Sequence, residues 1–264
     1  MHLILYFYLC VCYYQTMSKT PLHLVILAAG KGTRMNAVDK PKVMFPLHGQ
    51  PMIGLFVPTI AELKPDTCIF VVGFHGQQVI DYMSALGEYD YVWQREQLGT
   101  GHALMQARAI LHNKTGITLV CNGDNPLFSV ATMKKMMHSL VDEHAVVAIA
   151  SSRLDPEKFP FGRIVCDATG HVIKVVEVKN CTPEELTIPD LNSGLYAFDN
   201  TWLWNNIDTI TRNSVSNEFY ITDLIEIANN DGKRVIAVPV ARDSEAIGIN
   251  TLDNLAQAED ALAK

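Results

Sequence analysis

From Leu22 onward, short runs of β-branched and apolar residues alternate with amphipathic stretches of helical length, and this alternation limits the folds open to the chain more than any other feature. Repeated strand–helix units of this kind give parallel strands joined by helical crossovers. The runs His23–Leu27, Cys68–Val72, Tyr91–Trp93, Ile117–Cys121 and Val146–Ser151 predict strands, and Met52–Leu63, Gln77–Leu86, Gly101–Leu111 and Ser129–His144 predict the helices between them. Beyond about residue 152 the rhythm changes. Strand-like segments at Gly162–Cys166, Val172–Val178 and Asn192–Phe198 stand among loops rich in Pro, Asp and Thr, which predicts a strand-rich lobe over about 152–200. Helical patterns return at Thr201–Ile207 and Thr222–Asn230, and Arg234–Pro239 reads as a further strand. The expected class is α/β: a Rossmann-like, mixed and mostly parallel sheet flanked by helices, with the strand-rich lobe attached.

In such sheets ligands gather at the carboxyl ends of strands, and two turns fall there. The first is Leu27-Ala28-Ala29-Gly30-Lys31-Gly32-Thr33-Arg34-Met35. Gly30 and Gly32 let the backbone turn sharply and approach an anion with no Cβ in the way, and Lys31, Arg34 and Lys42 bring positive charge to it. This reads as a grip for a nucleoside triphosphate. Its spacing differs from the Walker loop and from G-x-G-x-x-G, so neither an ATPase nor a nicotinamide-binding reading follows. Alone, such a turn also fits an ordinary strand-to-helix loop. The second turn, Asn122-Gly123-Asp124, follows the fourth predicted strand, so the two loops can face one pocket.

At 264 residues the chain suits one large domain, or one domain with an appended lobe. Its formal net charge of -7 excludes a general nucleic-acid surface, because phosphate backbones are held by clustered Lys and Arg. The six cysteines have no C-x-x-C of zinc-like spacing, and reduced thiols are expected. Leu3–Tyr14 is almost wholly apolar, yet it is too short to span a bilayer comfortably and lacks both a basic leader and a small-residue cleavage site. Residues 1–16 are therefore expected to be a mis-assigned start or an apolar tail, with the competing reading of a membrane-associating segment. The working domain is then 17–264, in the cytoplasm, without stable membrane association.

Nine motifs follow in order: LAAGKGTRM at 27–35, PKVM at 41–44, QREQLGTGHA at 94–103, NGDNPL at 122–127, FGRI at 161–164, VEVKN at 176–180, LNSGLYAF at 191–198, NEFYITDLI at 217–225 and GIN at 248–250. Over essentially Leu22 to Asn250, the chain resembles the uridylyltransferase domain of bacterial N-acetylglucosamine-1-phosphate uridyltransferase. The resemblance implies a nucleotide-diphospho-sugar transferase fold and a reaction in which a sugar-1-phosphate oxygen attacks the α-phosphorus of UTP, releasing pyrophosphate. N-acetylglucosamine 1-phosphate is the acceptor implied, and Mg²⁺ the cofactor. Such a reaction needs charge neutralisation and in-line positioning rather than a covalent intermediate.

By the same resemblance, Leu27, Ala28, Ala29, Gly30, Gly32, Thr33, Arg34 and Lys42 hold the triphosphate, and Arg34 and Lys42 act as the catalytic cations that stabilise departing pyrophosphate. Gln94, Gly99 and Thr100 select the base, since a glutamine amide can answer both the donor and the acceptor of a uracil edge. Asp124 and Asn250 hold the metal. Gly162, Glu177, Asn192 and Asn250 hold the sugar, with Tyr220 or Thr222 nearby and Lys179 assisting at the sugar phosphate. Read singly, several of these residues also fit plainer roles. Lys42 can be a solvated surface lysine, Gly99 and Gly101 a helix start, and His102 a structural residue. Asp124 can be a turn residue, Asn250 a cap for a helix at Leu252–Leu262, and Glu177 an exposed face of a strand.

The chain departs from the family pattern at Asn122, where an aromatic residue is usual, and at Phe161, which replaces a tyrosine. Both fall on the sugar side and leave the acceptor open. One extra residue between Arg34 and Lys42 is expected to be absorbed by a loop. Only 14 residues follow Asn250, and no hexapeptide repeat begins among them. The acetyltransferase half that accompanies this domain in the family is thus not expected here, which predicts a monomer or a non-trimeric oligomer and an acceptor made by another enzyme. The alternatives are a transferase for another sugar 1-phosphate or another base, and a catalytically silent nucleotide-sugar sensor.

Overall fold

The computed structural model describes residues 20–35 and 38–263, so the apolar leader and Met17 lie outside the described residues. The strands, in chain order, are β1 (Leu22–Ala28), β2 (Pro46–Leu47), β3 (Gln50–Pro51), β4 (Thr67–Val72), β5 (Asp90–Trp93), β6 (Ile117–Asn122), β7 (Val147–Arg153), β8 (Arg163–Cys166), β9 (Val172–Val176), β10 (Asp190–Asp199) and β11 (Val235–Pro239). The α-helices are α1 (Phe56–Leu63), α2 (Gly76–Ser84), α3 (Thr100–Met105), α4 (Arg108–Leu111), α5 (Val130–Asp142), α6 (Pro183–Leu186), α7 (Asn200–Asn206), α8 (Asp223–Asn230) and α9 (Leu252–Leu262).

One nine-stranded sheet organises the chain, in the order β11-β7-β10-β6-β1-β4-β5, with the β8–β9 hairpin joined to β10. Strands β6, β1, β4 and β5 run parallel, as do β7 and β11. Leu24, Val25 and Ile26 of β1 are wholly buried, as a central strand covered on both faces requires. Alternate residues therefore feed two cores. One gathers Leu24, Ile26, Phe70 and Met133 beneath α1, α2 and α5, while the other gathers Val25, Ile69, Leu104 and Trp204 beneath α3, α7 and α8. Each large apolar side chain so buried contributes about 1.5–3 kcal/mol.

The segment expected as an attached lobe also enters the main sheet. Strand β10 inserts between β6 and β7, antiparallel to both, with Leu195 opposite Cys121 and Phe198 opposite Val147. Its register against β7 shifts between Asn192 and Tyr196, and only the β8–β9 hairpin stands clear of the main path. Two predicted helices are shorter or broken. Between α3 and α4 the amides of Gln106 and Ala107 bond to Ala103 and Leu104, three residues back, which tightens and interrupts the helix. The 52–63 helix opens as a 3₁₀ turn, and Pro58 sits in the first turn of α1, where its missing N–H has no partner to lose. The four described cysteines are free, and burial pushes the Cys68 thiol up to about 12.

Candidate active site

The two turns meet where β1 and β6 end side by side. The Gly123 amide donates to the Leu27 carbonyl at 2.8 Å, which fastens the second turn to the first. The chain then passes over Gly30 and Gly32 into a 3₁₀ turn at Thr33–Met35. Gly32 has φ +66°, and a Cβ there would stand 2.5 Å from the Cβ of Lys42. The left-handed backbone and the close approach of Lys42 each demand glycine, and the close approach fixes the root of the lysine.

Four side chains separated widely in sequence converge beside this turn. The Lys42 ammonium donates to the Asp124 carboxylate and, at 3.0 Å, to Oδ1 of Asn250. Arg34 donates to the same Asn250 oxygen at 2.7 Å. Asn250 is held in place because the Ile249 amide donates to the Asp124 carbonyl at 2.8 Å, joining the GIN segment to the end of the Asp124 turn. The expected metal pair and the expected catalytic cations thus form one cluster. Its hard carboxylate and carboxamide oxygens already face a positive centre, which is the donor chemistry a small divalent cation requires.

A cleft of about 410 Å³ lies against this cluster, lined by Leu27, Ala28, Ala29, Gly30, Gly32 and Lys42 on one side and by Gln94, Gly99 and Thr100 on the other. Gln94 is buried at the end of β5, with its amide donating to the Gly99 carbonyl at 2.9 Å and lying 3.1 Å from Nδ1 of His102. Those contacts occupy its amide nitrogen and leave its carbonyl for a ligand. Gly99 has φ +97°, and a Cβ there would stand 2.5 Å from the Phe219 carbonyl. Phe219 and Ile221 zip onto this loop through Leu98, Gly101 and the Thr100 hydroxyl.

A second, smaller cleft of about 210 Å³ adjoins the first and is lined by Gly162, Glu177, Asn192 and Asn250. Asn192 donates to the Tyr196 hydroxyl at 2.7 Å and accepts from the Gly194 amide at 3.1 Å. Glu177 is half-buried, accepts from the Thr222 hydroxyl at 3.2 Å, and has its carboxyl pushed up by desolvation, with the Thr222 bond and Lys179 pulling the other way. Burial, and then the charges of Glu177 and Glu226, push Asp223 up to about 6. Burial also raises the Tyr196 hydroxyl.

Some expected residues stand apart from these clefts. Lys179 pairs with Glu218 at 3.6 Å and lines neither, and among the described residues Arg34 reaches the cluster through Asn250 alone. The structure also shows which residues join the two clefts, and it adds one that was not assigned a role, Glu245. Asn122, Thr100, Asp124 and Tyr220 line both clefts, which makes Asn122 a junction residue as well as a departure from the motif. Glu245 is wholly buried and accepts from the Ser129 amide at 3.1 Å, bracing the segment that leads to Asn250. Its only signal in the sequence is a carboxylate set against the apolar stretch Ala246–Ile249.

A mixed, mostly parallel sheet with a glycine turn, converging cations and a carboxylate at its strand ends has the donor chemistry that suits phosphate groups. The chain belongs to the MobA-like NTP transferase domain family, whose family model matches residues 24–183. It is 39% identical over 237 residues to "Bifunctional protein GlmU" of Geobacillus thermodenitrificans, covering 90% of this chain and 51% of that protein. The protein of the same name from Clostridium novyi is 39% identical over 240 residues, covering 90% and 51%, and that from Streptococcus sanguinis is 37% identical over 242 residues, covering 92% and 52%. The chain spans about half the length of the curated relatives it matches. Among solved structures, UDP-glucose pyrophosphorylase complexed with UDP-glucose superposes with a TM-score of 0.77 at 20% identity, over 92% of this chain and 98% of that one. The fold is therefore the nucleotide-diphospho-sugar transferase fold expected from the motifs.

Proposed function

We propose that the chain transfers UMP from UTP to N-acetylglucosamine 1-phosphate, forming UDP-N-acetylglucosamine and pyrophosphate. The observation that carries this reading is the convergence of Arg34, Lys42, Asp124 and Asn250 at the meeting point of two clefts. The larger cleft takes the nucleotide, with the Leu27–Gly32 backbone against its phosphates and the Gln94 carbonyl and the Gly99–Thr100 loop against its base. The smaller cleft takes the acceptor, with Glu177, Asn192 and the Gly162 backbone on the sugar.

Within this arrangement Lys42 exchanges its contact with Asp124 for one with phosphate, and Arg34 adds charge as pyrophosphate leaves. Asp124 and Asn250, freed of the ammonium, are the residues that would hold Mg²⁺. When bound, that ion supplies charge neutralisation and orientation of phosphate oxygens, with few protein ligands needed. Among the described residues no helix is long and apolar enough to cross a membrane. We place the reaction in the cytoplasm, with small-molecule substrates and no nucleic-acid partner.

A second reading keeps the chemistry and changes the acceptor. Asn122 and Phe161 both line the acceptor cleft, so another sugar 1-phosphate, such as glucose 1-phosphate, is favoured if these two residues decide the fit. Pyrophosphate release by residues 17–264 with Mg²⁺ and UTP, measured against N-acetylglucosamine 1-phosphate, glucose 1-phosphate and glucosamine 1-phosphate, separates the two. UTP binding without pyrophosphate release from any of them would leave a silent sensor and sink both.

A further inference from the structure

Arg163 opens β8, and its side chain is among the largest that are fully buried. Among the described residues its guanidinium pairs with no carboxylate. It donates instead to four backbone carbonyls: Pro156 at 2.9 Å, Phe159 at 3.3 Å, Leu186 at 3.3 Å and Phe161. A guanidinium taken out of water needs its donors met, so this cation gathers the whole loop from Pro156 to Phe161 around itself.

The contact with Phe161 governs the wall of the acceptor cleft. The Phe161 carbonyl and the Gly162 N–H belong to one peptide unit, and there are no cis peptide bonds among the described residues. In a trans unit the C=O and N–H point in opposite directions, so holding the carbonyl against Arg163 turns the Gly162 N–H away from the guanidinium. That N–H has no hydrogen-bond partner among the described residues, whereas the Gly162 carbonyl accepts from the Asn192 amide at 2.8 Å. Gly162 itself lines the acceptor cleft. With no Cβ at Gly162 to resist rotation, the unit is free to turn once its carbonyl is released, presenting an acceptor where a donor had been.

We infer that Arg163 is a positioning residue for the acceptor: by clamping the Phe161 carbonyl it aims the Gly162 N–H into the cleft, where it donates to an oxygen of the sugar phosphate. This rests on the assignment of the smaller cleft to the acceptor. Asn192 contributes from the other side by holding the Gly162 carbonyl, so the glycine is fixed at both of its peptide units.

The test compares Arg163→Lys, which keeps the charge but not the fork of donors, with Arg163→Gln, reading KM for N-acetylglucosamine 1-phosphate and for UTP separately, together with Tm. The acceptor KM should rise about 10-fold, the effect of one lost hydrogen bond, while the KM for UTP stays within about twofold. A merely structural clamp would lower Tm and the active fraction and leave both KM values in place; that result, or an equal rise in both, overturns the inference. Gly162→Pro deletes the N–H with Arg163 intact and should reproduce the acceptor-selective loss, and an unchanged acceptor KM in this variant also overturns it. Calorimetric titration of UDP-N-acetylglucosamine and of UTP into the same proteins reads the split without turnover. If the unaltered chain turns over no acceptor, the proposed reaction fails, while a selective loss of UDP-sugar affinity in Arg163→Lys still upholds the role of Arg163.

Discussion

The two clefts, proposed for the nucleotide and for the acceptor, are built in opposite ways. On the nucleotide side, the ends of the parallel strands β1 and β6 carry cations that bond to the site's own oxygens, Lys42 to Asp124 and Arg34 to Asn250, in a cluster that solvent still reaches. On the acceptor side, antiparallel strands hold polar groups already bonded among themselves: Asn192 to Tyr196, Glu177 to Thr222, and Arg163 to the loop it gathers. In the proposed reaction the first side exchanges partners when a ligand arrives, and the Lys42–Asp124 ion pair with the Arg34–Asn250 hydrogen bond keeps these groups close until then. The second has its hydrogen bonds set in advance, so it can discriminate by shape and by the few groups left open.

The largest effect expected is on the exchanging side. Asp124→Ala should lower Mg²⁺-dependent turnover by about 10³-fold, on the scale of removing a main electrostatic group from an active site. Near-normal rates in this variant would remove Asp124 from the metal site and would make the Lys42 contact an ordinary ion pair. Gly99→Ala probes the loop between the two sides, since the new Cβ would meet the Phe219 carbonyl at 2.5 Å in a left-handed backbone. A loss of about 1–3 kcal/mol in chemical denaturation is expected. An unchanged midpoint would show that the 98–101 and 219–221 segments give way independently of the fold.

Gln94→Ala should narrow the preference for UTP over CTP by about 10-fold while leaving the acceptor KM in place, measured by competing the two nucleotides. If the preference does not move, the base is read by the Gly99–Thr100 loop alone. The smallest effect lies beside the acceptor cleft. Asp223 is raised from 3.8 to about 6, so between those values the folded chain retains a proton that the unfolded chain has released, and stability falls as pH rises through that window. Asp223→Asn should therefore raise Tm more at about pH 7.5 than at about pH 4, by about 1–2 °C given the partial exposure of the group. Equal gains at both pH values would mean that burial beside Glu177 does not govern this carboxyl.

The strands of the parallel half were legible nearly to the residue, because β-branched runs such as His23–Leu27 and Ile117–Cys121 must be buried on both faces. The position of Asp190–Asp199 was not legible. A run of that kind can pair on either edge or between strands, and only the packed sheet places it antiparallel between β6 and β7. The break between α3 and α4 was hidden for a related reason, since its apolar spacing continues smoothly through Gln106 and Ala107. Within the site, Gly32 and Gly99 announced themselves as glycines in motif positions, but the atoms that require them, on Lys42 and Phe219, come from elsewhere in the chain.

Taken alone, the sequence determined the α/β class, which follows from local periodicity, and the family, which follows from the resemblance its ordered motifs carry; it also offered a glycine turn and a set of side chains for the proposed chemistry. The tertiary structure decided which of those side chains meet. Arg34 and Asn250 are 216 positions apart, and Lys42 and Asp124 are 82 apart, yet each pair is in contact. Such meetings depend on strand order and register, which local sequence constrains only weakly. The same holds for the roles proposed for Arg163 and Gly162. The sequence shows an arginine next to a glycine, but that the guanidinium is buried, which carbonyls it gathers, and therefore which way one peptide faces, is settled only when the loop closes around it.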